Sequence, residues 1–322
     1  MDRSSAMAAG LYGLLVGDAL GVPYEFHDAS SIPAESLIEM APPAGFRRSH
    51  AGVPPGTWSD DGSQALCLFE SLTVAPALDL DDFAGRLQRW YRDGHLQAGG
   101  RVFDVGIQTH RALDKLAGGE SPLRSGGASE RENGNGSLMR VLPVALLHDH
   151  RQGAFALIDK AMRQSLPTHA HPRSLACCAQ LVLWADGLIH GLDVDRAWDE
   201  AAATLRRFAS GADGASASAL FSGSLQREVE IVLTPDPGNL PAGSGYVVDS
   251  LWSARWALKQ PTYERVVRAA IRLGNDTDTT AAIAGGLAGI RDGLSAIPSR
   301  WLDGLRDREV VDGLLARVGL AR

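Results

Sequence analysis

Cysteine is scarce in this chain, and no apolar run is long enough to cross a membrane. The three cysteines are Cys67, Cys177 and Cys178, without a CxxC pair or a Cys/His set at zinc spacing. The odd number argues against a disulfide framework and for a reducing compartment. No stretch approaches about 18 apolar residues, and the apolar start lacks the basic region of a signal peptide. We therefore expect a cytoplasmic protein without a membrane span.

An excess of positive charge is also missing. The net charge is −7 and the sequence pI is about 5.7. Because phosphate contacts need clustered lysine and arginine, we do not expect nucleic acid as the main partner. A polyanionic ligand could still bind through backbone amides, helix N-termini or a metal, which the net charge does not report. Hydrophobic residues make up 45% of the chain, which is enough to form a large core.

Helical periodicity recurs along the chain, whereas strand-like alternation is almost absent. The spacing predicts helices over residues 5–17, 62–74, 80–93, 102–117, 136–149, 152–165, 171–190, 194–209, 214–232, 244–258, 262–272, 276–292 and 307–318. Loops rich in proline and glycine are predicted at 40–58, 118–135, 166–173 and 233–245. No long flexible linker separates these elements. We expect an all-α fold, a single compact multi-helix domain over residues 1–322, and a monomer.

Two short acidic clusters carry most of the functional information in the sequence. The first is Ser59-Asp60-Asp61 and the second is Asp276-Thr277-Asp278-Thr279, 216 positions further on (276 minus 60). Carboxylates this close repel each other unless a cation neutralises them, and hard oxygen ligands suit Mg²⁺, Mn²⁺ or Ca²⁺. Four converging carboxylates could hold two ions about 3.5–4 Å apart with a nucleophilic water between them. The pattern favours a binuclear metal hydrolase.

Each cluster has a second interpretation when it is taken alone. Aspartates beside Gly, Ser and Thr are common in turns and at helix N-caps, so Asp61-Gly62 could form a turn and Asp276 could cap a helix. Both interpretations can hold together, because one helix N-terminus can present a capping group and a ligand. An EF-hand is excluded, since Ala281 and Leu287 stand where that loop needs Gly and Glu.

Four other segments are candidates for ligand contacts. Glu25 lies between two aromatic residues, and a carboxylate in such a setting needs a partner if it is buried. The Asn133–Ser137 segment, Asn-Gly-Asn-Gly-Ser, could offer backbone amides to a diphosphate at a helix N-terminus, or could form an ordinary tight turn. His169 could hydrogen-bond a ligand or hold a neighbouring loop. Asp104, at the start of a predicted helix, could cap that helix or bind a guanidinium.

Taken in order, these segments resemble the ADP-ribosylglycohydrolase family. The matching stretches between residues 10 and 290 are GLLVGDALGVPYEF, TWSDDGSQA, FDVGIQTHRAL, NGNGSLMRVLP, THAHP and GNDTDTTAAIAGGLAGI. The resemblance implies a compact all-α fold, two Mg²⁺ or Mn²⁺ ions, and hydrolysis of the N-glycosidic bond between ADP-ribose and an arginine side chain. The alternatives are hydrolysis of O-linked ADP-ribose (from ADP-ribosyl-serine or acetyl-ADP-ribose), ADP-ribose binding without catalysis, and a Mg²⁺-dependent phosphohydrolase.

The resemblance also implies roles for individual residues. The expected metal ligands are Ser59, Asp60, Asp61, Asp276, Asp278 and Thr279. Glu25 would lie beside the metals, where either Glu25 or Asp60 accepts a proton, and Asp104 would face the leaving guanidinium as a third catalytic residue. The expected substrate contacts, with His169 included, are Asp104, Asn133, Gly134, Asn135, Gly136, Ser137, His169, Gly245 and Tyr246. The substrate would be an ADP-ribosylated protein or small molecule, and the product ADP-ribose.

The sequence departs from the family pattern at three positions. The first cluster is commonly Thr-Asp-Asp-Thr, and here Ser59 and Gly62 replace the two threonines. Serine keeps the hydroxyl ligand, whereas Gly62 removes a hydroxyl that could orient its neighbours. Asn275 stands where glycine is frequent, and we expect this change to alter only the backbone turn.

Overall fold

Helices form nearly all of the regular structure in the computed structural model, which describes residues 3–211, 225–236 and 241–319. The α-helices are α1 Arg3–Gly21, α2 Asp60–Val74, α3 Leu80–Asp93, α4 Ile107–Ala117, α5 Pro143–Leu146, α6 Gly153–Ser165, α7 Pro172–Ile189, α8 Val194–Ser210, α9 Leu225–Leu233, α10 Val247–Ala257, α11 Tyr263–Arg272, α12 Thr277–Asp292, α13 Ser299–Gly304 and α14 Arg308–Arg317. Short 3₁₀ helices are Val22–Tyr24, Ala29–Ser31, Glu35–Leu37, Ala98–Gly100, His150–Gln152 and Leu294–Ala296. Within these ranges, β-structure is limited to isolated bridges. The prediction of an all-α fold is confirmed.

Helices α1 and α12 pack backbone to backbone at the centre of the fold. Gly13, Gly17 and Gly21 recur every fourth residue of α1 and face α12. An added Cβ at Gly17 would overlap the carbonyl oxygen of Ala281, and one at Gly21 would overlap the backbone of Asp278. The glycine stripe therefore allows a closer approach than any side chain would, and it brings the end of α1 against the start of α12.

Helix α1 is long and apolar enough to cross a membrane, which differs from the prediction that no stretch of the chain would be. Within residues 3–24, 83% of the most apolar 18-residue window is buried inside the protein. A helix that is apolar on all sides is a core helix when other helices surround it. In this structure α1 has the burial of a core helix.

Helix α2 begins beside the last turn of α1. Ser59 caps α2, because its hydroxyl accepts a hydrogen bond from the backbone N–H of Asp61 at 3.3 Å. Asp18 is fully buried and accepts hydrogen bonds from the backbone N–H groups of Ser59 at 2.9 Å and Gly62 at 2.8 Å. A Cβ at Gly62 would lie 2.7 Å from the Leu15 side chain and 2.9 Å from Asp18 Oδ2. The glycine that departs from the family pattern thus suits the close packing against α1, where a larger residue would displace neighbouring side chains.

Two predicted helices are shorter in the structure. The helix predicted over 102–117 begins only at Ile107, because Asp104 has a left-handed φ of 56° that breaks the helix. Asp104 therefore does not cap this helix. The helix predicted over 136–149 is reduced to α5, since residues 136–140 form consecutive turns and the helix begins at Pro143. A proline suits the first helical position, where its missing N–H would have no partner.

The remaining differences are at two other helices. Helix α9 overlaps the last part of the helix predicted over 214–232 and ends one residue later, and residues 214–224 of that prediction lie outside the described residues. Helix α13 was not predicted. It has only six residues, too few for a hydrophobic period to be recognised, and it follows Pro298.

Replacing Gly17 by alanine should destabilise the protein, because the new methyl group has no space against Ala281. Overpacking of this kind lowers the free energy of unfolding by about 1–3 kcal/mol or more. Gly85→Ala is the matched control, since Gly85 lies within α3 with nothing within 4 Å of an added Cβ. That control should be stabilised by about 0.5–1 kcal/mol. Urea denaturation would measure both, and equal stability of the two variants would contradict the packing argument.

Candidate active site

The two acidic clusters meet in one cavity, where α1 ends and where α2 and α12 begin. The cavity has a volume of about 430 Å³, within the range of small-ligand sites. Its acidic and hydroxyl lining consists of Glu25, Asp60, Asp61, Asp104, Thr109, Asp276 and Thr279. Ser59 and Asp278 are buried and do not line it. Residues that lie 216 positions apart in the chain (276 minus 60) are therefore brought together by the packing of three helices.

The second cluster is placed by the start of α12. Asp276 occupies the N-cap position, but its side chain makes no capping hydrogen bond. Its Oδ2 instead accepts a hydrogen bond from Asn135 Nδ2 at 2.8 Å. The capping interpretation of Asp276 is therefore wrong. The preceding Asn275 has a φ of 60°, a left-handed conformation that asparagine tolerates and glycine favours, which explains the substitution at this position.

Glu25 is held against the second cluster. The backbone N–H of Phe26 donates to the carbonyl of Asn275 at 2.7 Å, and this pairing fixes the segment beside α12. Carboxylate oxygens of Glu25, Asp276 and Asp278 lie within 4.8 Å of one another. Glu25 is only 4% exposed, so the partner that a buried carboxylate needs must be found in the site.

One partner of Glu25 is His50, which the sequence analysis did not identify. His50 Nε2 lies 2.6 Å from Glu25 Oε2 and 3.9 Å from Asp104 Oδ1. The imidazole ring is flanked by Phe26 and Phe103, with ring centroids 5.7 and 5.2 Å away. His50 therefore contacts Glu25 directly and lies within ion-pair distance of Asp104, two of the expected catalytic carboxylates.

Burial and mutual repulsion raise the pKa values of the site carboxyl groups. Burial raises the pKa of Asp60, Asp61 and Asp278 well above the usual range, and neighbouring carboxylates raise each of them further. Burial, together with nearby aspartates, raises the pKa of Glu25 to about 12. Among the described residues, no lysine or arginine lines the cavity. The concentrated negative charge is therefore not neutralised by a basic side chain in the cavity wall.

The donor set fits a divalent metal ion. Among the described residues, Asp61 Oδ1 and Asp278 Oδ2 are buried carboxylate oxygens without a hydrogen-bond partner. One comes from each cluster, and such orphaned oxygens need an explanation in a folded protein. Carboxylate oxygens combined with the hydroxyl of Thr279 are the ligands that hard divalent cations prefer. The site residues are thus candidate metal ligands by burial, charge and chemistry.

A second group with metal-binding spacing is already neutralised. Glu130, His171 and Glu228 have potential ligand atoms within 4.8 Å of one another. Arg173 lies among them, with Nη2 2.7 Å from Glu130 and Nε 2.8 Å from Glu228. Because the guanidinium pairs with both carboxylates, this group is an ion-pair cluster.

The expected substrate contacts divide into two sets. Those that line the cavity are Asp104, Gly134, Asn135, Gly136, His169 and Gly245. Asn133, Ser137 and Tyr246 do not. Ser137 is fully buried, with Oγ 2.7 Å from Ser165 Oγ, and Tyr246 is 38% exposed and accepts a hydrogen bond from Arg173 at 3.3 Å. Because the turns at 136–140 replace the predicted helix, the glycine-rich segment does not lie at a helix N-terminus.

Comparison with known proteins identifies the family. A sequence profile of the ADP-ribosylglycohydrolase family matches residues 1–322. The chain belongs to this family. It is 32% identical over 307 residues to ADP-ribosylarginine hydrolase Tri1 of Serratia proteamaculans, covering 94% of this chain and 76% of that protein. It is 29% identical to ADP-ribosyl-(dinitrogen reductase) glycohydrolase of Rhodospirillum rubrum, covering 96% and 95%. A solved ADP-ribosylglycohydrolase-related protein complex superimposes with a TM-score of 0.72 at 31% identity, covering 100% of this chain and 99% of that one.

As a member of the ADP-ribosylglycohydrolase family, the protein is a glycohydrolase, which confirms the prediction made from its motifs.

Three residues whose side chains contact the expected site residues or their neighbours were not predicted from the sequence: Asp18, His50 and Arg140. Burial raises the pKa of Asp18 to about 7, although backbone N–H groups of Ser59 and Gly62 oppose this shift. Asp18 could have been found, because a carboxylate within an apolar, glycine-rich helix needs a partner. The sequence offers no comparable local signal for the other two.

A divalent cation should stabilise this glycohydrolase by satisfying the orphaned oxygens. At roughly 100 times its Kd, Mg²⁺ or Mn²⁺ would add about 2.7 kcal/mol to the free energy of unfolding, and EDTA would remove it. Asp278→Asn should lose most of the metal-dependent rise in Tm, because it removes an orphaned oxygen. Asp195→Asn is the control, since that side chain is 67% exposed on α8. Scanning fluorimetry would measure both, and an equal metal response in the two variants would count against a metal centre here.

Proposed function

We propose that the protein hydrolyses the N-glycosidic bond between ADP-ribose and an arginine side chain, using two Mg²⁺ or Mn²⁺ ions. The acid-lined cavity is the observation that carries this proposal. Its lining includes Glu25, Asp60, Asp61, Asp104 and Asp276, and no lysine or arginine of the described residues. Such a cavity favours a cation, and a guanidinium is the cation that carboxylates bind with paired hydrogen bonds. The name of the Serratia proteamaculans relative, ADP-ribosylarginine hydrolase, supports the same leaving group.

Six residues would hold the metal ions: Ser59, Asp60, Asp61, Asp276, Asp278 and Thr279. When bound, divalent ions at such a site lower the pKa of a coordinated water and hold substrate oxygens in place. Ser59 would contribute from the N-cap of α2, where its hydroxyl donates to Asp61 Oδ2 at 3.3 Å. The start of α12 would provide the opposing ligands.

Hydrolysis joins the water oxygen to C1″ of the ribose and breaks the bond from C1″ to the guanidino nitrogen. The electron pair of the broken bond stays on that nitrogen, which finally receives the proton lost by the water. Glu25 is the preferred carrier of this proton, because its carboxylate lines the cavity and lies 2.6 Å from His50 Nε2. Asp60 is the second candidate, since its Oδ2 is already engaged by Gln64 Nε2 at 2.8 Å.

Asp104 would hold the guanidinium as it leaves. Its left-handed backbone ends the extended segment before α4, and its side chain is 21% exposed at the cavity mouth. Ligand atoms of Glu25, His50 and Asp104 lie within 4.8 Å of one another. His50 Nε2, 2.6 Å from Glu25 and 3.9 Å from Asp104, thus lies where a guanidinium N–H could approach both carboxylates. The modified group could be carried by a protein or a small molecule, and we propose that the enzyme acts in the cytoplasm as a monomer.

Removing a metal ligand should abolish hydrolysis. Purified protein would be incubated with an ADP-ribosyl-arginine protein in Mg²⁺, Mn²⁺ or EDTA, and free ADP-ribose would be measured. Asp60→Ala, Asp278→Ala and EDTA should each lower the rate by about 100-fold or more, the loss typical of removing a major transition-state contact. Asp195→Ala should keep the full rate. Undiminished release by Asp60→Ala or Asp278→Ala would refute the metal-dependent mechanism.

Asp104→Asn tests the leaving group. The change removes a charge but keeps the shape, so kcat/KM for the arginine linkage should fall by about 10–100-fold, as expected for a lost charge-assisted hydrogen bond. Asp114→Asn, on the exposed face of α4, is the control. An ADP-ribosyl-serine peptide, tested in parallel, should not be cleaved.

Release from serine alone would overturn the arginine assignment while keeping the metal mechanism. Release of phosphate or AMP would indicate a phosphohydrolase. Tight ADP-ribose binding without release from either substrate would instead support a binding protein without catalysis.

A further inference from the structure

A buried chain of hydrogen bonds connects the first acidic cluster to His169. Gln64 Nε2 donates to Asp60 Oδ2 at 2.8 Å, and Arg140 Nη1 donates to Gln64 Oε1 at 2.7 Å. Arg140 Nη2 donates to Thr168 Oγ1 at 2.7 Å, and this hydroxyl lies 2.8 Å from His169 Nδ1. None of the five side chains is more than 4% exposed. The two walls of the cavity are therefore joined through the protein interior.

Arg140 sets the direction of these hydrogen bonds. A guanidinium only donates, so Thr168 Oγ1 must accept from it. The hydroxyl has one hydrogen of its own, and within the described part of the chain its other partner is His169 Nδ1. A buried hydroxyl hydrogen without an acceptor is unfavourable. The hydrogen is therefore directed at Nδ1, which must be unprotonated, and the imidazole proton is left on Nε2.

The opposite edge of the His169 ring faces the cavity. An added Cβ at Gly136 would lie 2.8 Å from the ring and one at Gly134 would lie 3.5 Å from Nε2, so the ring packs against the glycine-rich segment. Nε2 has no hydrogen-bond partner among the residues described, and His169 lines the cavity. Burial, with the Arg140 charge nearby, lowers the pKa of His169 to about 3, so the ring is neutral.

We propose that Arg140 and Thr168 are positioning residues that hold His169 as a neutral Nε2–H donor toward an oxygen of the bound ligand. The inference rests on the proposed function, because ADP-ribose supplies the acceptor oxygens, on its diphosphate or its riboses. The opposite tautomer would present a nitrogen lone pair to the same oxygen and repel it. A protonated ring would place a second buried positive charge near Arg140, which is unfavourable.

The Thr168 hydroxyl is the side chain to change. Thr168→Val removes the hydroxyl and keeps the shape, whereas Thr168→Ser keeps the hydroxyl. The backbone carbonyl of Thr168, which accepts from the Gly127 N–H at 3.2 Å, remains in both variants. We expect Thr168→Val to raise the Kd for ADP-ribose and the KM by about 10-fold, and Thr168→Ser to restore both to within 2-fold. The metal-dependent rise in Tm should be unchanged, because Gln64 and Asp60 are not altered.

The tautomer can be read directly from ¹⁵N-labelled imidazole resonances of the free protein, with His169→Gln used to assign the signals. Wild-type protein and Thr168→Ser should show a protonated Nε2 and an unprotonated Nδ1, and Thr168→Val should lose this preference. An Nδ1–H tautomer in the wild type, or wild-type ADP-ribose affinity in a folded Thr168→Val, would overturn the proposal. The spectrum needs neither substrate nor turnover. If the predicted tautomer is found but ADP-ribose does not bind, the proposed function fails and the assignment of Thr168 as the residue that fixes the tautomer stands.

Discussion

The backbone contact between α1 and α12 is the constraint on which the rest of the site depends. Gly21 lies directly against the backbone of Asp278. The last turn of α1 and the first turn of α12 are therefore too close for a side chain to fit between them. Because α1 continues into the segment that carries Glu25, the same contact sets Glu25 beside the second acidic cluster. Asp18 then attaches the start of α2 to α1 by two backbone hydrogen bonds. The second cluster is therefore positioned by glycine packing against α1, and the first cluster is positioned by the hydrogen bonds of Asp18 on the same helix.

This arrangement trades stability for function. Buried carboxylates repel one another, and their raised pKa values show that burial opposes their charged forms. Two features offset the repulsion within the protein: the clusters lie in the first turns of α2 and α12, where the helix dipole favours negative charge, and amide groups of Asn135 and Gln64 donate to Asp276 and Asp60. The orphaned oxygens of Asp61 and Asp278 are left for a ligand.

Apolar spacing and capping residues predicted correctly those helices whose bounds depend on interactions between residues close in sequence. The helix predicted over 80–93 has those bounds in the structure, because its apolar spacing and the Asp79 cap act within a few residues. The predicted helix over 136–149 was largely wrong, since Asn133 and Asn135 pair through their backbone with residues 245–247, the chain then turns, and a helix begins only at Pro143. Asp18 and His50 have partners 41 and 25 positions away, and such pairings are formed only by the fold. Motif resemblance identified the candidate site, but not the residues that support it.

The cavity is lined by carboxylates, and this explains why, in the proposed function, a neutral hydrogen-bond donor and not a cation faces the ligand oxygens. A lysine or arginine placed in the lining would pair with the carboxylates and compete with both the metals and the guanidinium. A neutral imidazole can donate a hydrogen bond without forming such an ion pair. The buried cation Arg140 contributes from behind this wall: it makes no direct ion pair with the site, and it acts through Gln64 and Thr168 on the two sides of the cavity. Keeping the positive charge of Arg140 behind Thr168 and His169 leaves the carboxylates available for cations that arrive with the substrate or the metals.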